Sequence, residues 1–296
     1  MTDKNYIKGI IFIVSSAFFF ALMAVFVRLS GELPFSQKAF FRNMISFVIT
    51  FIAIVKQVHQ NGFESIKIPD GSLKFLLLRS FGGTIGIFGN FYAIDHLILA
   101  DASILNKMAP FWTVIFCLLL LREKIRLVPL LAIVTAFLGA ILVAKPTFDF
   151  SKTLPSLSGF LSGVGAGFAY ACVRKLSTLK CPGTIIILFF SAFSTLLTIP
   201  LMLMDFEPMS LKQIIILILA GASAAGGQFT ITAAYFHAPA SKISIFDFCQ
   251  IIFSASLGFF IFDQKPDILS IIGYIIIVSM AVFNFFWNEK HKDVIK

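Results

Sequence analysis

The stretch that decides the fold is Gly89–Arg126, GNFYAIDHLILADASILNKMAPFWTVIFCLLLLREKIR. One apolar segment closes near Ile94 and a turn of a few residues follows around Asp95 to Leu99. A second apolar segment then runs from Ala100 to Leu121, stopped by Arg122, Glu123, Lys124 and Arg126. Two helices joined by so short a connection are antiparallel neighbours. The same pattern returns after a shift of 140 residues in ITAAYFHAPASKISIFDFCQIIFSASLGFFIFDQKP, with Ala93 falling on Ala233, Ala100 on Ala240, Glu123 on Asp263 and Lys107 on Asp247. A duplicated hairpin thus carries a cation at one position of the first copy and an anion at the same position of the second.

Working outward, the composition assigns the chain to lipid. Hydrophobic residues make up 58% and charged residues 13%, half the charged fraction of about 25% usual in soluble domains. A hydrocarbon core about 30 Å thick needs about 20 apolar residues per helix. Ten segments of that size can be marked: 9–30, 36–55, 73–94, 100–121, 127–144, 157–176, 184–204, 211–236, 240–262 and 268–287. The expected fold class is therefore an all-α integral membrane protein of ten transmembrane helices. The first segment is too long for a signal-peptide core and lacks a clear small-x-small cleavage site, so it counts as a helix. The longest connection expected is that between the second and third helices.

The net charge of +9 follows from topology. With the N-terminus inside, fifteen Lys and Arg fall on inner segments and seven on outer ones. That asymmetry predicts both termini on the cytoplasmic side of the cell membrane and removes the need for a nucleic-acid partner. Cys117, Cys172, Cys181 and Cys249 have no paired spacing, so neither a disulfide framework nor a zinc site is indicated. No phosphate-cradling Gly-rich loop is present, which argues against ATP as the energy source; no cofactor is called for. The four histidines (His59, His96, His237, His291) fall in loops or the tail, against a His relay.

Five spans per half make the halves an inverted repeat, 1–146 and 147–296. VRLS at Val27–Ser30 against VRKLS at Val173–Ser177 supports the duplication. In such carriers the solute site lies near the midplane where the repeats meet. Helices three and eight carry Gly82, Gly83, Gly86, Gly89 and Gly221, Gly226, Gly227, with polar Asn90 and Gln228 following; helix six carries Gly159, Gly163 and Gly167 at four-residue spacing. Such glycines mostly serve close helix packing. Pro110 sits mid-segment, where it removes a backbone hydrogen bond.

Charges inside spans are the main site candidates, since each costs about 2.5 to 3.5 kcal/mol to insert at the bilayer centre. Counted from the span ends, Lys107 and Asp247 differ by roughly 10 Å in depth. Each is thus expected on the cavity wall on its own side of the midplane, without direct pairing. Arg79 and Arg174 are the expected mates of Asp247. Arg28 and Arg42 share the outer half with Lys107, near Glu32, Asp95 and Asp101, leaving a positive excess suited to an anionic group such as a carboxylate. Tyr92, Trp112, Tyr170, Tyr235 and Phe248 are candidates for stacking on a solute, and Gln250, which replaces Pro110 in the second copy, completes the set.

The runs LADASILNKMAPFWTVIFCLLLLREKI (Leu99–Ile125), APASKISIFDFCQIIFSASLGFFIFDQKPD (Ala238–Asp267) and KAFFRN (Lys38–Asn43) resemble the EamA branch of the drug/metabolite transporter superfamily. The resemblance implies a two-repeat carrier of the bacterial cytoplasmic membrane with its cavity between helices three, four, eight and nine. It implies cargo among amino acids, related metabolites or S-adenosylmethionine-like solutes, often moved outward. The second half departs from the pattern, with Asp263 and Gln264 where Gly-Glu is common. The expected function is a secondary exporter of a small organic metabolite; uptake or exchange of a nucleoside-type solute is the alternative, and an intramembrane enzyme or receptor belongs to another class with less support. Coupling to a proton through Asp247, exchange against a counter-solute and facilitated diffusion fit the sequence equally. The protein could work as a monomer or a homodimer.

Overall fold

The computed structural model describes residues 3–97, 99–123, 126–145, 153–263 and 265–291. The calls on Lys124, Gln264 and the side chains of Asp95 and Asp101 lie outside the described residues. The chain runs through α1 (Asp3–Leu29), α2 (Phe35–Asn61), α3 (Ser72–His96), α4 (Leu99–Asn106), α5 (Ala109–Leu121), α6 (Leu127–Ala144), α7 (Thr153–Thr178), α8 (Gly183–Met204), α9 (Leu211–His237), α10 (Ala240–Ile243), α11 (Cys249–Phe262) and α12 (Ile268–Lys290). Among the described residues nine helical segments are long and apolar enough to cross a membrane. The tenth span is α3, 25 residues long, which at about 1.5 Å per residue also crosses; its hydropathy is diluted by Lys74, Arg79, Asn90 and four glycines. The protein is an all-α, multi-pass membrane protein of ten spans in two inverted five-helix repeats.

Four local expectations are revised. The fourth span is two helices, α4 and α5, and the ninth is α10, a 3-10 turn at Ser244–Phe248, and α11. Pro110 lies in the first turn of α5 rather than mid-helix. The connection after α2 is shorter than expected, because α2 continues to Asn61 and a 3-10 turn occupies Phe63–Ile66. His59, His96 and His237 stand in the last turns of α2, α3 and α9 rather than in loops.

Solvent sorting is inverted, as lipid demands. Phe260 is 81% exposed and Leu203 67%, while Arg79 is 1% exposed. Apolar side chains face the acyl chains, and polar ones turn inward, where hydrogen-bond partners exist. Hydroxyls that would be orphaned return to their own helix: Thr50 donates to Ser46 O at 2.7 Å and Thr113 to Ala109 O at 2.8 Å.

Packing follows the duplication. α3 lies against α7 as α1 lies against α9; α5 touches α7 as α11 touches α1; α2 meets α9 as α8 meets α3. Two further pairs, α2 with α8 and α6 with α12, are each made of equivalent spans and straddle the pseudo-twofold axis. At the α6–α12 crossing Gly139 and Gly273 face each other; a Cβ at Gly139 would lie 2.9 Å from the Gly273 carbonyl oxygen, and one at Gly273 2.5 Å from that of Gly139. α1 begins and α12 ends at one face, where Tyr6 of α1 stacks on Phe285 of α12 at 5.9 Å. At the opposite face Gln37 and Glu207 exchange reciprocal hydrogen bonds of 2.8 and 3.0 Å, and Gln213 donates to Ser30 O at 3.2 Å.

The glycines of α7 set the interhelix distance. Gly159 and Gly163 receive α4, Gly165 receives α3 at Gly82 and Gly86, and Gly167 receives α5 at Trp112. A Cβ at Gly163 would lie 2.5 Å from the Leu105 carbonyl oxygen. Gly163→Leu should therefore destabilise the protein by at least about 1–3 kcal/mol through overpacking. Thermal unfolding in detergent should show its Tm several degrees below wild type. Gly183→Ala, whose new methyl would sit at an ordinary 3.4 Å from Thr232, should leave Tm in place.

At the face opposite the termini, Asp267 caps α12 through Ser270 N at 3.0 Å and pairs with Lys145 at the end of α6. Lys145 above all, and then the Ser270 amide, hold the Asp267 carboxyl at about 2, below its ordinary 3.8. A depressed carboxyl stabilises the fold above its unfolded value and loses that effect as pH falls through the folded one. The Tm difference between wild type and Asp267→Asn should stay constant down to about pH 5 and shrink between about pH 4 and 2, followed by thermal unfolding across an acid series.

Candidate functional site

The site is built on the breaks in the fourth and ninth spans. Pro110 has no N–H, so the Asn106 carbonyl loses its helical partner, and the turn there tightens: Met108 N donates to Leu105 O at 3.3 Å before the helix restarts with Phe111 N on Met108 O at 3.1 Å. The freed carbonyl of Asn106 and its neighbour, the Leu105 carbonyl, pack against Gly163 of α7, the protein-lined setting that irregular backbone requires in a membrane. The ninth span has Gln250 in place of that proline and breaks differently, with the 3-10 turn Ser244–Phe248 carrying Asp247.

At the junction Lys107 Nζ donates to Asp247 Oδ2 at 3.0 Å and to Gln250 Oε1 at 2.6 Å. The side chains of the ion pair are only 12% and 9% exposed. This overturns the expectation that the two stand apart. The depth count assumed a uniform rise of about 1.5 Å per residue and no side-chain reach. A 3-10 turn rises about 2.0 Å per residue, and the Lys stem spans much of the remainder. Because an inverted repeat exchanges equivalent positions across its axis, a residue near that axis meets its own counterpart, and here the counterparts are Lys and Asp.

Arg79 and Arg174 are consequently not the mates of Asp247. Arg79 of α3 donates from Nη2 to Gln228 Oε1 of α9 at 2.6 Å and stacks 3.7 Å above the Phe190 ring of α8. Arg42 of α2 donates from Nη1 to Asn43 Oδ1 at 2.9 Å and from Nε to Met23 Sδ at 3.3 Å. Both guanidinium groups lie within electrostatic reach of Tyr170 of α7, as does Asp247. Tyr170 stacks on Tyr235 at 5.6 Å, and Tyr235 sits 3.4 Å from the Ser244 hydroxyl. Arg28 does not join this group; it lies 4.4 Å over the Phe262 ring at the far end of α11.

Arg174 ties the helix ends together on the side of the termini. Its Nε donates to Glu123 Oε1 at 2.7 Å and its Nη1 to Tyr235 O at 3.0 Å, tying α7 to the ends of α5 and α9. The sequence marked Arg174 and Glu123 separately; the VRKLS match and the helix-end acid were the signals that could have joined them.

The remaining candidates separate. Trp112 packs edge-on against Phe160 at 5.8 Å and against Gly167. Phe248 is fully buried and faces Phe137 at 6.3 Å. Tyr92 stacks on His96 at the end of α3, 4.2 Å away, and Asn90 is half-buried two residues before it. Phe190 and Met23 were missed, and no sequence signal singles out one phenylalanine among 37. A separate cleft of about 500 Å³ opens between α2, α8 and α9, lined by Gln57, Thr184, Phe229, Thr232 and His237; the buried charges do not line it. Among the described residues no three His, Cys, Asp or Glu side chains converge on a metal position.

Relatives match this chain along most of its length. An exporter of pseudopaline from Pseudomonas aeruginosa, CntI, is 31% identical over 277 residues, covering 93% of this chain and 95% of its own. The EamA-like transporter family model matches residues 7–145. The chain belongs to the EamA-like transporter family. Another relative, a riboflavin transporter of Vibrio cholerae, is 26% identical over 306 residues, covering 98% of this chain and 97% of its own. A solved crystal structure of a protein only 14% identical superimposes with a TM-score of 0.81 over 95% of this chain and 98% of that one, a likeness of fold. This EamA transporter thus places a charged pair where its two repeats cross.

Removing one member of a buried pair strands the other, a loss of about 3–5 kcal/mol. Lys107→Met and Asp247→Asn should each lower stability on that scale. The double variant should lose less than the sum of the two, a coupling measured by a double-mutant cycle of unfolding in detergent.

Proposed function

We propose that this EamA transporter is a secondary exporter of a small organic metabolite, working by alternating access between halves 1–146 and 147–296. The carrying observation is the buried Lys107–Asp247–Gln250 cluster at the crossing of the broken fourth and ninth spans. A solute bearing an acid or an amine can exchange for one partner of that cluster, so the pair that holds the halves together in the empty state yields as cargo enters. The relative named as an exporter supports the outward direction. Tyr170 and Tyr235, stacked beside the cluster, would accept a planar moiety, which favours as second reading a transporter of ring-bearing solutes like the relative named for riboflavin. Lys and Arg crowd the segments on the side of the termini, which supports the cytoplasmic membrane with both ends inside.

In the proposed cycle the Arg174–Glu123 pair and the Arg174 bond to Tyr235 O seal the cytoplasmic end. The Gln37–Glu207 clasp and the Gln213–Ser30 bond seal the other. Rocking opens one set while the other holds, the motion expected of inverted-repeat carriers. Lys107 and Asp247, on opposite halves, would separate and rejoin in each turn.

Counterflow in proteoliposomes tests this reading: labelled amino acids and other small metabolites, each preloaded unlabelled, should give transient accumulation for at least one solute. Lys107→Met and Asp247→Asn should reduce its rate at least tenfold. Glu123→Gln, which loosens one seal without touching the central pair, should shift accessibility of single-cysteine probes toward the cytoplasmic end. Wild-type rates in both central variants would sink the role given to the pair.

A further inference from the structure

The charges of the central region do not balance. Lys107 is answered by Asp247, but Arg42 and Arg79, 7% and 1% exposed, have neutral partners: an asparagine, a methionine sulfur, a glutamine and a phenylalanine ring. The ion pairs among the described residues, Lys67–Glu64, Lys107–Asp247, Lys145–Asp267 and Arg174–Glu123, include neither arginine. The Arg79 Nε–H is buried without any hydrogen-bond partner. Each guanidinium carries five N–H donors, so both retain unused donors. They are positioned but not neutralised.

Two buried cations within electrostatic reach of each other, on the adjacent spans α2 and α3, would repel unless something negative came between them. The charge surplus of the central group, three cations against one anion, is two. Tyr170 lies within reach of both guanidiniums and of the Asp247 side of the cluster and offers a phenolic donor. A carboxylate fits the planar fork of a guanidinium with two parallel hydrogen bonds. The arginines hang from the first half, on α2 and α3, while Gln228, Phe190 and Tyr170 belong to the second. Relative motion of the halves would therefore tighten or release whatever sits between them.

We infer that Arg42, Arg79 and Tyr170 form an anion site, and that the cargo of this transporter carries two carboxylates. That this anion is cargo rests on the transport function proposed above; that it binds rests on the arginines alone.

The test uses the full-length protein purified in detergent, with succinate as probe, its neutral dimethyl ester as the uncharged counterpart, and chloride at matched ionic strength. Succinate should raise the Tm of the wild type, while the ester and chloride should not. Arg42→Gln and Arg79→Gln should each weaken half-saturation by succinate at least tenfold, with Arg42→Lys and Arg79→Lys recovering part of the response. If an arginine variant does not fold, Tyr170→Phe, which leaves every charge in place, should weaken succinate several-fold. A rise given equally by the ester or by chloride, or an undiminished response in folded Arg42→Gln and Arg79→Gln, would overturn the anion site. Counterflow separates the two levels. A protein that exchanges an uncharged or cationic solute and ignores succinate overturns this inference and leaves transport standing. One that binds succinate through the arginines but moves no solute keeps the site and overturns the transport reading.

Discussion

A twofold axis lying in the plane of a membrane brings any residue on it face to face with its own counterpart. If the two are identical and charged, the bilayer amplifies their repulsion, because little water is present to screen it. This protein meets the constraint by making the counterparts opposite: Lys107 in the first repeat, Asp247 in the second, 3.0 Å apart. The same geometry recurs without charge at Gly139 and Gly273, where equivalent spans cross so closely that backbone meets backbone. Among the contacts that join the repeats along the axis are thus a polar one and one of small residues.

The remaining architecture keeps that axis accessible to the chemistry placed on it. Glycines of α7 let α3, α4 and α5 approach closely enough to shelter the carbonyl freed at Pro110. That shelter allows the fourth span to break in mid-membrane and present Lys107. The ninth span reaches the same end without proline, through a 3-10 turn, and uses the vacated position for Gln250, the second acceptor of the Lys107 ammonium. The asymmetry of the two breaks is thus part of the site.

Much of this was legible in the chain. Ten apolar segments, the shift of 140 residues and the opposite charges at one matched position lead from the sequence to the inverted fold and to the residues that meet at its centre. The misreading of Lys107 and Asp247 as separate came from measuring depth along ideal helices. Span boundaries carry no signal for a 3-10 turn or for the reach of a lysine stem. The partners of Arg79 were illegible for another reason. Gln228 and Phe190 lie more than a hundred residues away on two other helices, and nothing local distinguishes that phenylalanine from the many that face lipid. Trp112 and Phe248 show the converse, since an aromatic beside a functional charge is more often needed to fill the space around it.

The unlike pair at the crossing also bears on how such a chain must be encoded. Two copies of the first half alone, associated in the same way, would set ammonium against ammonium, and two copies of the second would set carboxylate against carboxylate. Neither half can therefore make this contact with a copy of itself, and each depends on the other being made beside it, which translation as a single polypeptide guarantees.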